Sequence, residues 1–167
     1  ISSFAPAIDL YGATLASTYY DSEYTVGKKT FKNWYSGGYL GFQSIRDGIV
    51  YSLNIVAVRC LMETVKPERG YQYAESLGIT SLAKDDENAA LALGGLTRGV
   101  SNLELTQAYG VIANGGKLQK AKFFSKIIDQ NGKVIGCKTD KPDISVIACC
   151  SGFSGLTHAV KMSSCGG

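Results

Sequence analysis

The sequence predicts an α+β domain, and three stretches carry that prediction. Between Ile45 and Val65, apolar residues recur at helical spacing: Ile45 and Ile49 lie one turn apart, and Ile55, Val58, Met62 and Val65 form a second run. Ser101 and Glu104 stand as S-x-x-E, the spacing of a capping box, at the head of the best-marked helix. Asn131-Gly132 is a turn dipeptide flanked by apolar runs, which reads as a β-hairpin. Helices dominate the middle of the chain and a hairpin follows.

From the N-terminus, residues 5–16 carry a partial stripe of Ile8, Leu10 and Leu15 that could continue an earlier helix. Residues 17–41, dense in Tyr, Gly, Ser and Lys, are expected to be irregular apart from one short strand near 29–31. A loop of that length is usually functional or crosses between lobes. The helical signal starts at Gln43, with Gly48 tolerated at some cost. Ser52-Leu53-Asn54 interrupts it, because Ser and Asn side chains compete for backbone hydrogen bonds.

Pro67 suits the first position of the next helix and Gly78 its end. Beyond the Ser101 cap, Val100 and Leu105 supply a hydrophobic staple. Leu105, Ala108, Tyr109 and Ile112 make the apolar face, and Gly115-Gly116 stops the helix. Residues 123–129 and 133–135 are the strands of the hairpin, and residues 151–162 are weakly helical.

Composition narrows the class. With 45% hydrophobic and 19% charged residues the chain is globular and long enough for a core, not disordered. A net charge of +3, with no basic cluster longer than Lys28-Lys29, gives no footprint for nucleic acid. Residues 1–20 lack a basic n-region and contain Pro6 and Asp9, so they are not a signal peptide. The longest uncharged stretch, 144–160, is broken by Ser, Gly and His158 and falls short of a membrane span, which puts any anchor outside the chain.

Cys60 falls in an apolar helical pattern and reads as a small buried hydrophobe. Cys149-Cys150 is vicinal, and no CxxC or His/Cys spacing suggests a metal site.

Residues 91–116, LALGGLTRGVSNLELTQAYGVIANGG, resemble the transpeptidase domain of penicillin-binding proteins, nearest to the bifunctional class A enzymes. Upstream, SIRDGIVYSLNIVAVR (44–59) resembles the family segment that carries its S-x-N motif. Downstream, KIIDQNGKVI (126–135) resembles the hairpin after the ANGG turn. The three occur in the family's order, and the match runs from about residue 5 to 135; residues 136–167 depart from it.

The resemblance implies a serine β-lactamase-like α+β fold, here a partial domain made mainly of the helical lobe plus a hairpin. It implies a D,D-transpeptidase that cross-links peptidoglycan stem peptides ending in D-Ala-D-Ala and is acylated by β-lactam antibiotics. The remaining parts of its own domain would be partners, and no metal or organic cofactor is implied. The setting would be the extracytoplasmic face of the cell membrane, with an anchor and a glycosyltransferase domain outside this chain.

The family's chemistry uses three motifs: S-x-x-K for the nucleophile and its base, S-x-N, and a K-T-G strand that binds the substrate carboxylate. Acyl transfer needs them together. Only S-x-N is intact, as Ser52-Leu53-Asn54. The resemblance makes Ser52 a proton relay to the leaving D-alanine, and Asn54 the side chain that binds the stem-peptide amide. By spacing alone Asn54 would cap a helix starting at Ile55, and the family-like flanks favour the motif.

Ser2-Ser3-Phe4-Ala5-Pro6 echoes S-x-x-K-P with Ala5 in the lysine position. Either Ser2 is a former nucleophile without its base, or the chain starts just past the motif. The second is favoured because FAPAIDL resembles the family's YAPA-type helix beyond the lysine. Lys138-Thr139-Asp140 has Asp in place of the glycine and reads as a solvated loop. The rival reading is a non-catalytic scaffold or binding module. A secreted β-lactamase fits less well, since those enzymes lack the ALGG-to-ANGG segment.

Overall fold

The computed structural model describes residues 1–122, 124 and 126–137. At its centre lies the apolar run predicted from Ile55 onward. Helix α3 (Asn54–Arg59) passes directly into a π-helical segment (Cys60–Val65). Ile55, Val56, Val58, Cys60, Leu61 and Val65 are all fully buried. A helix apolar around most of its circumference has to be covered on most sides, and the rest of the fold does this, leaving the Arg59–Glu63 ion pair on the remaining side. The wide turn closes through the Lys66 N–H donating to the Leu61 carbonyl at 2.6 Å. Cys60 behaves as predicted: its thiol donates to the Ser3 carbonyl at 3.7 Å, and burial pushes its pKa up.

Helix α1 (Phe4–Leu10) lies against the π-helical segment. It stops at Leu10, short of the expected Ala16, where Gly12 takes a φ of +70° and turns the chain. The strand expected near 29–31 is present, but the 17–41 stretch is less irregular than expected and holds further strands. Strand β1 (Thr18–Asp21) pairs antiparallel with β4 (Gly41–Ser44), and β2 (Tyr24–Val26) pairs antiparallel with β3 (Lys29–Phe31). Each strand has three or four residues, too few for a period-two pattern to stand out.

Gln43 therefore belongs to a strand, and helix α2 (Ile45–Val50) starts after a Ser44–Asp47 capping box. Gly48 is more than tolerated. A Cβ there would stand 2.7 Å from Val56 Cγ1, so α2 approaches α3 this closely only through a glycine.

Helix α4 (Pro67–Ser76) has Pro67 at its first position. It ends in a Schellman arrangement, with Gly78 at φ +92° and the Ile79 N–H donating to the Ala74 carbonyl. Two 3₁₀ turns, Lys84–Asp86 and Ala89–Leu93, lead to Gly94 in the left-handed region. Between them, buried Asp86 accepts from the Thr97 N–H, the Thr97 hydroxyl and the Ala83 N–H.

Helix α5 (Asn102–Ala113) has the predicted Ser101–Glu104 capping box, and Gly115-Gly116 follows it. Its buried face differs from the predicted one. Ala108 and Val111 are buried, while Leu105, Tyr109 and Ile112 are 37%, 57% and 47% exposed. On the buried side stands Glu104, whose carboxylate also accepts from the Thr80 N–H, the Thr80 hydroxyl and the Ser81 N–H.

The hairpin is present as β5 (Lys126–Ile128) and β6 (Val134–Cys137). Only Gly132 of the turn pair takes positive φ, at +81°. The Gly132 N–H donates to the Asp129 carbonyl, and the Asp129 carboxylate accepts from the Asn131 and Lys133 N–H groups. This is a type I turn followed by a glycine bulge, not a two-residue turn. The readings made for Phe123, Lys138-Thr139-Asp140, Cys149-Cys150 and residues 151–162 fall outside the described residues.

The Glu104 grip has a pH signature. The Thr80 N–H first, then the Thr80 and Ser101 hydroxyls, hold its carboxyl down from 4.5 to about 2. A carboxyl depressed in the folded state stabilises above its unfolded pKa, and that contribution disappears as pH falls through the folded one. Thermal melts should therefore lose stability between about pH 4.5 and about pH 2, and Glu104→Gln should flatten that part of the profile. A wild-type profile superimposing on that of Glu104→Gln would show that the grip is absent in solution.

Candidate active site

Helices α2 and α3 meet at residues 51–53. Tyr51 closes α2, and Ser52 turns the chain with a φ of +53°. Left-handed backbone costs a non-glycine residue about 1–2 kcal/mol, and such strain persists only where the surroundings over-determine it. Leu53 supplies part of that restraint. Its side chain is 1% exposed, and its N–H donates to the Gly48 carbonyl at 2.9 Å. With Leu53 inside, Ser52 and Asn54 both lie on the wall of one cleft of about 610 Å³.

The first turn of α1 brings Ser3, Phe4 and Ala5 to this cleft, and the end of α5 brings Tyr109 and Ile112. Its walls are largely apolar, and among the described residues no Lys, His, Asp or Glu lines it.

Asn54 is not the cap of α3. It is the first helical residue, and its side-chain N–H donates to the Lys32 carbonyl at 3.0 Å. The Ile55 N–H is taken instead by Asn33 Oδ1 at 3.2 Å. Capping thus comes from a loop 22 residues upstream, which frees Asn54 from the role that spacing alone gave it. Next to it, Trp34 Nε1 donates to the Tyr51 carbonyl at 3.0 Å.

Ser2 is buried, and its hydroxyl donates to the Leu91 carbonyl at 2.9 Å; the Ser3 hydroxyl donates to the Ala57 carbonyl at 2.6 Å. The structure therefore brings together Ser52, Asn54 and Ala5, the residue in the lysine position of S-x-x-K counted from Ser2, while Ser2 itself is turned toward Leu91. Sequence reasoning missed Lys32, Asn33 and Trp34. The unusual length of the 17–41 stretch was the one signal that could have pointed there.

A family model described as the penicillin binding protein transpeptidase domain matches residues 3–148. The chain belongs to this family. Penicillin-binding protein 1A of Clostridium botulinum (strain Langeland) is 34% identical over 149 residues, which is 81% of this chain and 17% of that protein. Penicillin-binding protein 1F of Bacillus subtilis is 40% identical over 115 residues, 69% of this chain and 15% of that protein. This transpeptidase-family chain thus spans less than a fifth of the length of either of these relatives.

The crystal structure of penicillin-binding protein 1A from Haemophilus influenzae superposes with a TM-score of 0.67 at 28% identity, covering 87% of this chain and 21% of that one. PonA1 from Mycobacterium tuberculosis, solved in complex with penicillin V, gives 0.70 at 22% identity over 81% of this chain and 39% of that one, and shares the fold. The α+β, transpeptidase-like fold class is the one the sequence predicted.

Because Ser52 sits in glycine-like backbone, Ser52→Gly should leave the melting temperature unchanged or raise it. Relief of about 1–2 kcal/mol of strain meets about 0.4–1 kcal/mol of added unfolded-chain entropy. Ser52→Val, β-branched, should lower it. Equal losses for the two variants would refute left-handed backbone at this position.

Proposed function

We propose that this chain supplies the S-x-N wall of a D,D-transpeptidase site, in a protein that cross-links peptidoglycan stem peptides and is acylated by β-lactams. The observation that carries this reading is the placement of Ser52 and Asn54 on one cleft wall, beside the first turn of α1, in a chain of the transpeptidase family. In acyl transfer a serine oxygen bonds to the substrate carbonyl and the C–N bond to the leaving D-alanine, or the lactam C–N bond, breaks. The departing nitrogen needs a proton, and the Ser52 hydroxyl is the relay. One N–H of the Asn54 carboxamide is committed to Lys32, and its remaining polar capacity is suited to a peptide amide.

The rest of the transpeptidase domain would complete the site, on the extracytoplasmic face of the membrane. Among the described residues no helix is long and apolar enough to cross a membrane.

Ala5 favours a second reading. Its place on the cleft wall, where S-x-x-K counted from Ser2 would put lysine, leaves the cleft without a base and makes the chain a non-catalytic binding module. A serine without its base is a poor nucleophile.

The test compares fluorescent-penicillin acylation and thermal unfolding of the full-length protein with and without Ser52→Ala. A proton relay contributes about 10²–10⁴-fold in rate, whereas a hydroxyl at a helix junction contributes about 0.5–1.5 kcal/mol of stability. The expected result is a large loss of acylation with little change in melting temperature. Near-normal acylation with a clear fall in melting temperature would return Ser52 to a structural role. Wild type that binds penicillin reversibly without acylation would establish the second reading.

A further inference from the structure

Three consecutive residues of one loop each reach a different part of the Ser52 bend. The Lys32 carbonyl accepts from the Asn54 side chain at 3.0 Å, Asn33 Oδ1 accepts from the Ile55 N–H at 3.2 Å, and Trp34 Nε1 donates to the Tyr51 carbonyl at 3.0 Å. Asn33 is the middle of this clamp and the member that is itself held. Its Nδ2 donates to Asp21 Oδ1 at 2.8 Å and to the Tyr35 hydroxyl at 3.2 Å. The orientation of the carboxamide is fixed by chemistry, because a backbone N–H can only donate and an ionised carboxylate can only accept.

Asp21, 1% exposed, also accepts from the Leu40 N–H at 2.9 Å and from the Tyr35 hydroxyl at 3.3 Å. It closes the β1–β4 ladder opposite Gly41, and β4 runs straight into the cap of α2. One buried carboxylate thus ties the sheet to the loop, and the loop to both sides of the strained serine.

We propose that Asn33 is a positioning residue for Ser52-Leu53-Asn54, with Asp21 fixing the Asn33 carboxamide so that the α3 N-terminus and the left-handed Ser52 are held in one geometry. Its geometric part stands on these contacts alone; its consequence for acyl transfer rests on the reading proposed above. An exchange of the two residues isolates the effect. Asn33→Asp alone sets two carboxylates against each other. Combined with Asp21→Asn, it restores the bonds between positions 21, 33 and 55, and loses only the one that Asn33 donates to the Tyr35 hydroxyl. The carboxylate now at position 33 accepts from the Ile55 N–H and from the amide now at position 21, whose oxygen accepts from Leu40 and Tyr35.

The measurement is amide hydrogen exchange in the 167-residue chain. Asn33→Ala should speed exchange at Ile55 by about three- to tenfold, the worth of one lost hydrogen bond, and shift the Ser52 and Asn54 amide resonances. Amides in α4 and α5 should be unchanged. Asn33→Asp should do the same, and the double exchange should return Ile55 to its wild-type rate.

Unchanged exchange at Ile55, or acceleration spread evenly through α4 and α5, overturns the proposal. Should Asn33→Ala fail to fold, the comparison of Asn33→Asp with the double exchange decides, and absence of rescue overturns it. In the full-length protein, the same variants should lower kcat/KM for penicillin acylation through kcat. Ile55 perturbed with acylation intact would leave the clamp standing and remove the catalytic reading of Ser52.

Discussion

The fold depends on the burial of one helical run. Residues 55–65 carry Ile55, Val56, Val58, Cys60, Leu61 and Val65 at 0% exposure, and no orientation of such a helix on a surface could hide them all. The elements around it are covers: α1 against the π-helical segment, α2 against α3 through Gly48, and the β1 and β3 ends against α3. Phe31, from β3, joins Ile55, Val58 and Ala89 in a small cluster on one side. The larger cluster gathers Ala7, Leu61, Val65, Leu77, Leu91, Ala108 and Val111 on the other.

The S-x-N motif stands at the N-terminal end of this buried run. Leu53 is drawn into the core, 1% exposed, and Ser52, Leu53 and Asn54 all border the cleft. The chain turns at Ser52, in backbone that serine seldom adopts. Strained backbone persists when its surroundings over-determine it. Here the surroundings are Leu53 beneath, and the Lys32–Trp34 loop across the top.

The cleft itself is chemically sparse. Ser52 and Asn54 share its wall with Ser3, Tyr73 and Tyr109 and with apolar surface from α1 and α5. On the function proposed above, the nucleophile, base and carboxylate-binding groups that acyl transfer also needs would be set against this wall. The exposed Tyr109 and Ile112 of α5 belong to the same surface. On the other side of the helix Glu104 grips Thr80 and Ser81 by hydrogen bonds.

The sequence by itself determined the local signals: the Ser101–Glu104 box, Pro67 and Gly78 at the ends of α4, the glycine-terminated α5, the hairpin at Asn131-Gly132, and the break at Ser52-Leu53-Asn54. Each rests on bonds or backbone preferences within a few residues, so residue type and spacing are enough to read them. The family was legible for the same reason, as three strings in order. Tertiary structure decided what depends on distant partners. Strands of three or four residues between 18 and 44 exist because they find each other and the core. Gly48 matters because Val56 lies behind it, and Glu104 of α5 is held because Thr80 is near. Asn54 escapes a capping role because Asn33, 22 residues earlier in the chain than Ile55, fills it. No local pattern can encode these choices, since each is a competition for a hydrogen bond or a volume that only the folded chain brings within reach.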